Sequence, residues 1–340
     1  MKHKYYNPET EEKFQEAKII RGNPSGIVCA SKEPFTWATN IYRVMQSYTW
    51  YVSECNVSQD KIPYKKLIPE HKYAYDMALG QLITNDSIQT KQLVDSVCTH
   101  ITAPGVIGCL TRQAYEEFEH AITYTAIAEE VCEDVERIYN LHKHEPMLAR
   151  KNEAVAVMYD KVNSNDNTNP TDEDLTLAFV ANQILEQLVF PGGFIVLWSF
   201  GFAGTDKAIQ FIERDETGTH VPLFKNIYRT TIKQVGLKDE TKEKIIDLIK
   251  FMTEEEKIWT KHISRDLMGF SETTVDIYIE NCANLICKNL KLEPIYTVTD
   301  GGPLYKLYNA KSLLGNKAVK TNFFEKAVGD YAVNTLDDDY

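Results

Sequence analysis

Apolar residues recur three or four positions apart along most of this chain, the spacing that places them on one face of a helix. A representative run precedes Asp86 and consists of Tyr75, Leu79, Leu82 and Ile83. Patterns in which apolar and polar residues alternate, as they do in a half-buried strand, are short and rare. The pattern therefore predicts an all-α protein.

This periodicity, together with the positions of Pro, Gly, Asn and Asp, predicts seven helical segments. They are Trp37–Glu54, Pro69–Thr99, Gly108–His142, Thr171–Gly201, Thr205–Val235, Glu240–Lys261 and Ser271–Lys291. The breaks between them, such as the Asn- and Asp-rich run at 163–169, are typical of loops inside one domain.

The end of the chain, residues 327–340, lacks the apolar period and finishes with Asp337-Asp338-Asp339-Tyr340. Such a composition buries too little apolar surface to fold alone. We therefore expect one folded domain over residues 1–326, followed by a flexible acidic tail over residues 327–340.

Composition narrows the possible function classes. The chain carries 37 basic and 49 acidic side chains, a net charge of −12, which argues against a nucleic-acid-binding surface as its main feature. The seven cysteines are scattered and never form a CxxC pair, so we expect neither a disulfide framework nor a zinc site, and a reducing cytoplasm fits. Pro191, Gly192 and Gly193 interrupt the longest apolar run, which predicts a soluble protein without a membrane span.

The segment most informative about chemistry contains Glu117, His120 and Tyr124, which project from one face of a predicted helix. A Glu-x-x-His pair alone is weak evidence, because charged residues are common on the surfaces of helices. Here Ala121 and Ala128 continue the same face, so the carboxylate and the imidazole lie on an apolar stripe that should point inward. A buried carboxylate needs a partner of opposite charge or a metal ion.

A second acidic and histidine pair, Glu216 and His220, lies on another mainly apolar helix, and two further helices carry the single carboxylates Asp86 and Glu186. Four carboxylates and two imidazoles from four helices are the ligand set of di-iron and di-manganese bundle proteins. Carboxylate oxygens suit hard Fe or Mn ions, and two-metal sites hold their ions roughly 3.5 to 4 Å apart. We therefore predict a dinuclear metal site with six ligands: Asp86, Glu117, His120, Glu186, Glu216 and His220.

The order of these residues resembles that of class I ribonucleotide reductase small subunits, the radical-generating beta subunits, over most of the chain. Accessory positions that support the resemblance are Trp50, the run Arg214-Asp215-Glu216 and the run Asn322-Phe323-Phe324-Glu325. The resemblance implies a ferritin-like bundle with the metal site in its four-helix core, and a homodimer that works with a large alpha subunit. Together the subunits would form a ribonucleoside-diphosphate reductase, the oxidoreductase that supplies deoxyribonucleotides for DNA replication.

The resemblance also implies roles for residues around the metal site. Tyr124 falls where the family carries a tyrosine that is oxidised to a stable radical, although a buried tyrosine is ordinarily a core residue. The apolar shield around this tyrosine would consist of Phe190, Phe194 and Ile212. Asp215 would hydrogen-bond to His120 and lead outward to Trp50, an arrangement that also offers an electron path towards the surface.

In the tail, the resemblance implies that Tyr331 or Tyr340 relays the oxidising equivalent to the large subunit, and the sequence does not choose between them. The acidic, aromatic-ended residues 336–340 resemble the peptide by which small subunits dock on the large one. A merely solubilising tail is the alternative. The expected cofactor is a pair of iron ions with a tyrosyl radical, and Mn/Mn or Mn/Fe pairs fit the same ligands.

One departure from the family pattern touches a ligand directly. Three residues separate Glu216 from His220, where the family usually has two. Both spacings keep the two side chains on one helical face, and Gly218 is a suitable site for a one-residue π-bulge. Glu116 and Glu119, beside the first pair, are expected to lie at the surface or to support the ligands.

Two other functions remain open at this point. One is a ligand-binding oxidase of the same fold, and the other is an iron-storage or purely structural bundle. Asp86, Tyr124 and the docking-like tail favour the reductase, because neither alternative gives all three of these features a function.

Overall fold

The computed structural model describes residue 4, residues 6–298 and residues 300–314 of the chain. Over these residues the protein is built from helices, and β-structure there is limited to one isolated bridge between Ile20 and Ile101. The prediction of an all-α protein is confirmed.

The α-helices of the described residues are, in chain order, Thr36–Ser47 (α1), Lys61–Lys65 (α2), Pro69–Gln92 (α3), Pro104–Val131 (α4), Val135–Tyr139 (α5), Leu141–His144 (α6), Pro146–Asp160 (α7), Asp172–Ile184 (α8), Phe190–Trp198 (α9), Ala203–Asp215 (α10), Val221–Val235 (α11), Asp239–Ser264 (α12), Glu272–Asn289 (α13) and Gly302–Lys311 (α14). Three π-helical segments lie at Leu93–Val97, Leu185–Val189 and Glu216–His220. Short 3₁₀ turns occupy Phe14–Glu16, Ala30–Lys32, Val52–Glu54, Val57–Asp60 and Cys98–His100.

Two of the π-helical segments, Leu185–Val189 and Glu216–His220, join α-helices into longer continuous ones, because the residues on either side keep helical dihedrals. Helices α8 and α9 thereby form one helix over residues 172–198, and α10 and α11 form one over residues 203–235. These two helices pack with α3 and α4 into a four-helix bundle, in which α3 lies against α4 and α9, and α8 lies against α11. The bundle is the ferritin-like core that the resemblance implies.

Local sequence signals explain where the core helices begin. Proline occupies the first turn of α3 and of α4, at Pro69 and Pro104, where its missing N–H would have no helical partner. At the start of α8, the Thr171 hydroxyl accepts a hydrogen bond from the Asp174 N–H, and the Asp174 carboxylate accepts one from the Thr171 N–H. This capping box satisfies two backbone donors that would otherwise be unpaired.

Two predicted helices are too long. The helix predicted over Trp37–Glu54 ends at Ser47, and the carbonyl oxygen of Tyr48 accepts a hydrogen bond from Arg214 instead of continuing the helix. The helix predicted over Gly108–His142 ends at Val131, because Cys132 adopts an extended conformation. A separate short helix then begins, capped by Asp134, whose carboxylate accepts from the Arg137 N–H.

Helices α2, α7 and α14 are absent from the sequence-based prediction. Helix α7 is the clearest omission, because Pro146 at its first turn is a helix-start signal visible in the sequence. The other two are short and lack a sustained apolar stripe, so the period that reveals the bundle helices does not reveal them.

The continuous helix Asp172–Trp198 is long and apolar enough to cross a membrane. Its most apolar stretch is entirely buried inside the bundle, which is the environment of a core helix in a soluble protein. The burial of this helix therefore fits the soluble protein that the sequence predicts.

Candidate metal centre

The structure gathers the six predicted ligands into two groups at the centre of the bundle. The groups are Asp86, His120 and Glu216, and Glu117, Glu186 and His220. Within each group the candidate donor atoms all lie within 4.8 Å of one another, and every residue is fully buried. Each group takes one residue from each of three core helices, so the two pairs that are close in sequence are divided between the groups.

Glu117 lies between the two groups. Its Oε2 is 3.6 Å from Nδ1 of His120, and its Oε1 is 3.3 Å from Nδ1 of His220. On the first side, Oδ2 of Asp86 is 3.9 Å from Nδ1 of His120. On the second, Oε2 of Glu186 is 3.5 Å from Nδ1 of His220. Glu117 therefore presents one carboxylate oxygen to His120 and the other to His220.

The donor atoms of these groups fit a pair of cations. Eight of them are buried and have no hydrogen-bond partner among the described residues: both oxygens of Asp86 and of Glu216, Oε2 of Glu117 and of Glu186, and Nδ1 of His120 and of His220. Leaving a buried polar atom unpaired costs about 1–3 kcal/mol, and more when it is charged. Carboxylate oxygens and imidazole nitrogens that face one another in this way are suited to holding metal ions.

Without a cation, the buried charges act against one another. Burial, and then the charge of Glu117, raise the pKa of Asp86 well above its ordinary value. The same two causes raise the pKa of Glu186 to about 7. Burial opposes the ionisation of Glu117 as well, but His220 and His120 outweigh it and lower the pKa of Glu117. Divalent cations would favour the ionised form of all of these carboxyl groups.

A π-helical turn accommodates the extra residue between Glu216 and His220. The segment Glu216–His220 is π-helical, so the prediction of a bulge at Gly218 is confirmed. The wider turn leaves both residues buried, one in each group. A Cβ atom on Gly218 would lie 2.9 Å from Cε2 of Tyr48, so the packing of that ring requires glycine.

Comparison with known proteins places this arrangement in a family. The family model described as "Ribonucleotide reductase, small chain" matches residues 31–303, a span that includes all six candidate ligands. The chain belongs to the ribonucleotide reductase small-chain family. Its function is accordingly that of the small subunit of a ribonucleoside-diphosphate reductase, an oxidoreductase, and not that of a ligand-binding oxidase or an iron store.

One curated protein is similar to the chain over nearly its whole length, and two solved structures share its fold. The ribonucleoside-diphosphate reductase subunit beta of Treponema pallidum is 28% identical over 341 residues, covering 96% of this chain and 94% of its own. The R2 subunit of Clostridium botulinum superimposes with a TM-score of 0.85 at 24% identity, over 92% of this chain and 99% of its own. The dimanganese(II) NrdF of Streptococcus sanguinis superimposes with a TM-score of 0.72 at 19% identity, over 83% and 98%.

Asp215 connects the candidate ligand His120 to Trp50 through close polar contacts. His120 Nε2 is 3.4 Å from Oδ2 of Asp215, and Trp50 Nε1 donates a hydrogen bond of 2.6 Å to the same oxygen. The rings of Trp50 and His120 also stack with 6.3 Å between their centroids. Arg214 pairs with the other Asp215 oxygen at 3.2 Å. The structure therefore brings together the three residues that the resemblance links.

Three polar residues of the small chain that contact the ligands or their neighbours were not predicted as site residues. The side-chain amides of Gln89 and Gln113 each donate to Oε1 of Glu117 and Oε1 of Glu186, at distances of 2.6 to 2.9 Å. The third is Arg112, which pairs with Glu116, a neighbour of the first ligand pair. Gln89 lies three residues after Asp86, and Gln113 four before Glu117. These helical spacings were the signal available in the sequence.

Tyr124 is fully buried, and its hydroxyl has no hydrogen-bond partner among the described residues. Burial, and then the charges of Asp86 and Glu216, raise its pKa well above the ordinary value. The residues predicted to shield it are all fully buried in the same core: Phe190, Phe194 and Ile212. The tail tyrosines Tyr331 and Tyr340 lie outside the described residues, as does the run Asn322-Phe323-Phe324-Glu325.

A cavity of about 890 Å³ opens beside the second group. Its lining runs from Lys288, which is exposed, to Glu186, which is fully buried. The buried carboxylate of Glu213 and the ring of Tyr308 also line it. The cavity therefore extends from the surface of the protein to the Glu186 side of the candidate centre.

Proposed function

We propose that this small chain holds two metal ions and uses them to oxidise Tyr124 to a radical. The ligands would be Asp86, Glu117, His120, Glu186, Glu216 and His220. The observation that carries the proposal is the set of eight unpaired donor atoms that face one another inside the bundle. An ordinary core does not tolerate so many unpaired polar atoms.

The ions would be iron or manganese, because four carboxylates and two imidazoles suit both. A pair of iron ions is the first expectation. The Streptococcus sanguinis relative is a dimanganese(II) NrdF, which supports a manganese pair as a second. When bound, the ions would supply the oxidising power for Tyr124, taken from O₂ or from a reduced form of O₂.

The surroundings of Tyr124 suit the storage of a radical. Burial and the charges of Asp86 and Glu216 raise the pKa of the phenol, so the phenolate is strongly disfavoured. Oxidation of Tyr124 would therefore remove an electron and a proton together. A fully buried ring whose hydroxyl has no polar partner among the described residues is also kept from water and from soluble reductants. Phe190, Phe194 and Ile212 would provide this protection.

The hydrogen-bonded sequence His120, Asp215 and Trp50 would carry the oxidising equivalent outward. Trp50 is the most exposed of these three residues, with 7% of its surface accessible against 2% for Asp215 and 0% for His120. From there Tyr331 or Tyr340 would relay the equivalent to the large subunit. The acidic tail over residues 327–340, attached to a domain over 1–326, would dock on that subunit.

The family implies a partnership with a large subunit, which would bind the substrate. We further propose that the small chain is a homodimer in the cytoplasm, where its scattered, free cysteines remain reduced. No nucleic-acid or membrane partner is proposed, in keeping with the net charge of −12.

A mixing assay tests the proposed function. The small chain is loaded anaerobically with Fe(II) or Mn(II), exposed to O₂ and combined with its large subunit, and reduction of ribonucleoside diphosphates is measured. We expect activity only when both subunits are present, and its loss when residues 327–340 are removed. The Glu119→Gln variant serves as the control for a harmless change near the site. Absence of stimulation by a radical-containing small chain would contradict the proposal.

A further inference from the structure

Each histidine of the candidate centre has a carboxylate on its outer nitrogen. For His120 this carboxylate is Asp215, as the resemblance implies. For His220 it is Glu116, whose Oε2 accepts a hydrogen bond of 3.0 Å from Nε2 of His220. Glu116 is 4% exposed, so it is part of the interior and not of the surface. The outer nitrogens of the two histidines are therefore supported in the same way.

Glu116 does not belong to either group of candidate ligands. Its Oε2 lies on the outer nitrogen of His220, whereas Nδ1 of the same ring faces Glu117 and Glu186. Its other oxygen, Oε1, accepts a hydrogen bond of 2.9 Å from Nε of Arg112, one turn earlier on α4. Both oxygens of Glu116 are therefore hydrogen-bonded, one to His220 and one to Arg112.

A carboxylate in this position fixes the state of the ring. When Nε2 carries the proton and donates it to a carboxylate, Nδ1 is left as the nitrogen that can bind a metal ion. The ring orientation is fixed at the same time. His220 is the last residue of the π-helical turn Glu216–His220, which is wider than a regular helical turn.

Arg112 connects Glu116 to the segment that contains Trp50. Its Nη2 donates to Oγ1 of Thr49 at 3.0 Å, and Thr49 precedes Trp50 in the chain. Arg214, which pairs with Asp215, donates to the carbonyl oxygen of the neighbouring Tyr48. Both carboxylates that hold the histidines are thus anchored, through an arginine, to residues 48–50.

We propose that Glu116 is a positioning residue for His220, held in place by Arg112, and that it sets the affinity of the second metal position. The inference rests on the proposed function in requiring that the centre binds two ions. Glu116 thereby compensates for the one-residue insertion between Glu216 and His220, because its carboxylate contacts the His220 ring in the position that the π-helical turn gives it.

The test is an anaerobic titration of the full chain with Mn(II), in which free Mn(II) is measured by electron paramagnetic resonance. The wild type is expected to bind two ions per chain. Glu116→Ala should weaken one of the two binding constants by about 10–100-fold and leave the other unchanged. Glu116→Gln should have a smaller effect, because its amide oxygen still accepts the hydrogen bond. The weaker binding constant of Arg112→Gln should lie between those of the wild type and Glu116→Ala.

Two further variants serve as comparisons. Asp215→Asn should weaken the binding of the other ion, so that the double variant Glu116→Ala/Asp215→Asn binds both ions weakly. Glu119→Gln, a change of the same kind on the same helix, should keep both constants. Thermal unfolding of each metal-free variant shows whether it folds. If Glu116→Ala does not fold, Glu116→Gln is used in its place.

Two tight positions in folded Glu116→Ala would overturn the inference, and so would equal weakening of both positions. Such results leave the proposed function intact. If the wild type binds fewer than two ions, the proposed function and this inference both fail. The metal content of the wild type therefore distinguishes failure of the proposed function from failure of the inference alone.

Discussion

Trp50 donates its indole N–H to Asp215 at 2.6 Å, although 165 positions separate the two residues in the sequence. The same carboxylate oxygen lies 3.4 Å from Nε2 of His120, and the Trp50 ring stacks on that imidazole. Trp50 is therefore two short contacts from a candidate metal ligand.

Trp50→Phe should leave metal content and the Tyr124 radical unchanged and should nearly abolish turnover with the large subunit. Phenylalanine keeps the apolar packing but is much harder to oxidise and has no N–H for Asp215. Metal analysis, the radical signal and the mixing assay measure the three quantities. Trp37→Phe, at another buried tryptophan, is the control and should retain turnover. Normal turnover of Trp50→Phe would remove Trp50 from the path.

Gly218→Ala should destabilise the fold by about 1–3 kcal/mol, because the new Cβ would overlap the Tyr48 ring at 2.9 Å and that ring is covered by Arg214. Gly108→Ala is the matched control. It lies in helix α4 with no atom within 4 Å of its would-be Cβ, so it should stabilise by about 0.5–1 kcal/mol. Denaturant unfolding of both variants measures the difference. Equal effects would mean that the π-helical turn does not require glycine.

Lys151 and Glu256 form an ion pair of 2.6 Å in the core, and both side chains are fully buried. Lys151→Met should destabilise by about 3–5 kcal/mol, because it leaves Glu256 buried and unpaired. Lys151→Met/Glu256→Leu should recover most of this loss. Lys257→Met, at a pair nearer the surface, should cost about 1 kcal/mol or less. Unfolding free energies that do not separate the single from the double variant would contradict this account.

Glu213 should make stability depend on pH. Burial raises its pKa to about 7 from an ordinary 4.5, although Ser312, Thr217 and Tyr308 donate hydrogen bonds to it. Between these values the folded chain holds a proton that the unfolded chain releases. The contribution of Glu213 to the free energy of unfolding therefore falls as pH rises through this window and is constant above it.

Glu213→Gln, which stays neutral, measures this contribution. Between pH 5 and pH 8, the free energy of unfolding of the metal-free variant should rise relative to that of the wild type by up to about 3 kcal/mol. The difference between the two chains cancels the titration of groups that they share. A difference that does not change with pH would show that Glu213 does not titrate in this range.

The sequence predicted the bundle because its four core helices carry long apolar stripes, and the six candidate ligands stand on those stripes. It did not predict that helix α1 ends at Ser47, because the end depends on Arg214, which is distant in sequence and donates to Tyr48. Propensity cannot reveal such a tertiary hydrogen bond.

The supporting residues of the site were harder to predict for a related reason. Glu116 has the sequence character of a surface glutamate, and its contact with His220 depends on how α4 packs against the π-helical turn. Gln89 and Gln113 carry no charge, so nothing but their helical spacing from Asp86 and Glu117 indicated that they touch the ligands. The roles of the ligands themselves remain predictions that metal binding will test.

The central claim is that Tyr124 is oxidised beside a two-metal centre. Low-temperature electron paramagnetic resonance of the chain loaded with Fe(II) or Mn(II) and exposed to O₂, or to a reduced oxygen species for manganese, tests it directly. We expect a tyrosyl signal in the wild type and no such signal in Tyr124→Phe, with two ions bound in both. A tyrosyl signal that persists in Tyr124→Phe, or two ions bound in the wild type without any radical under either treatment, would contradict it.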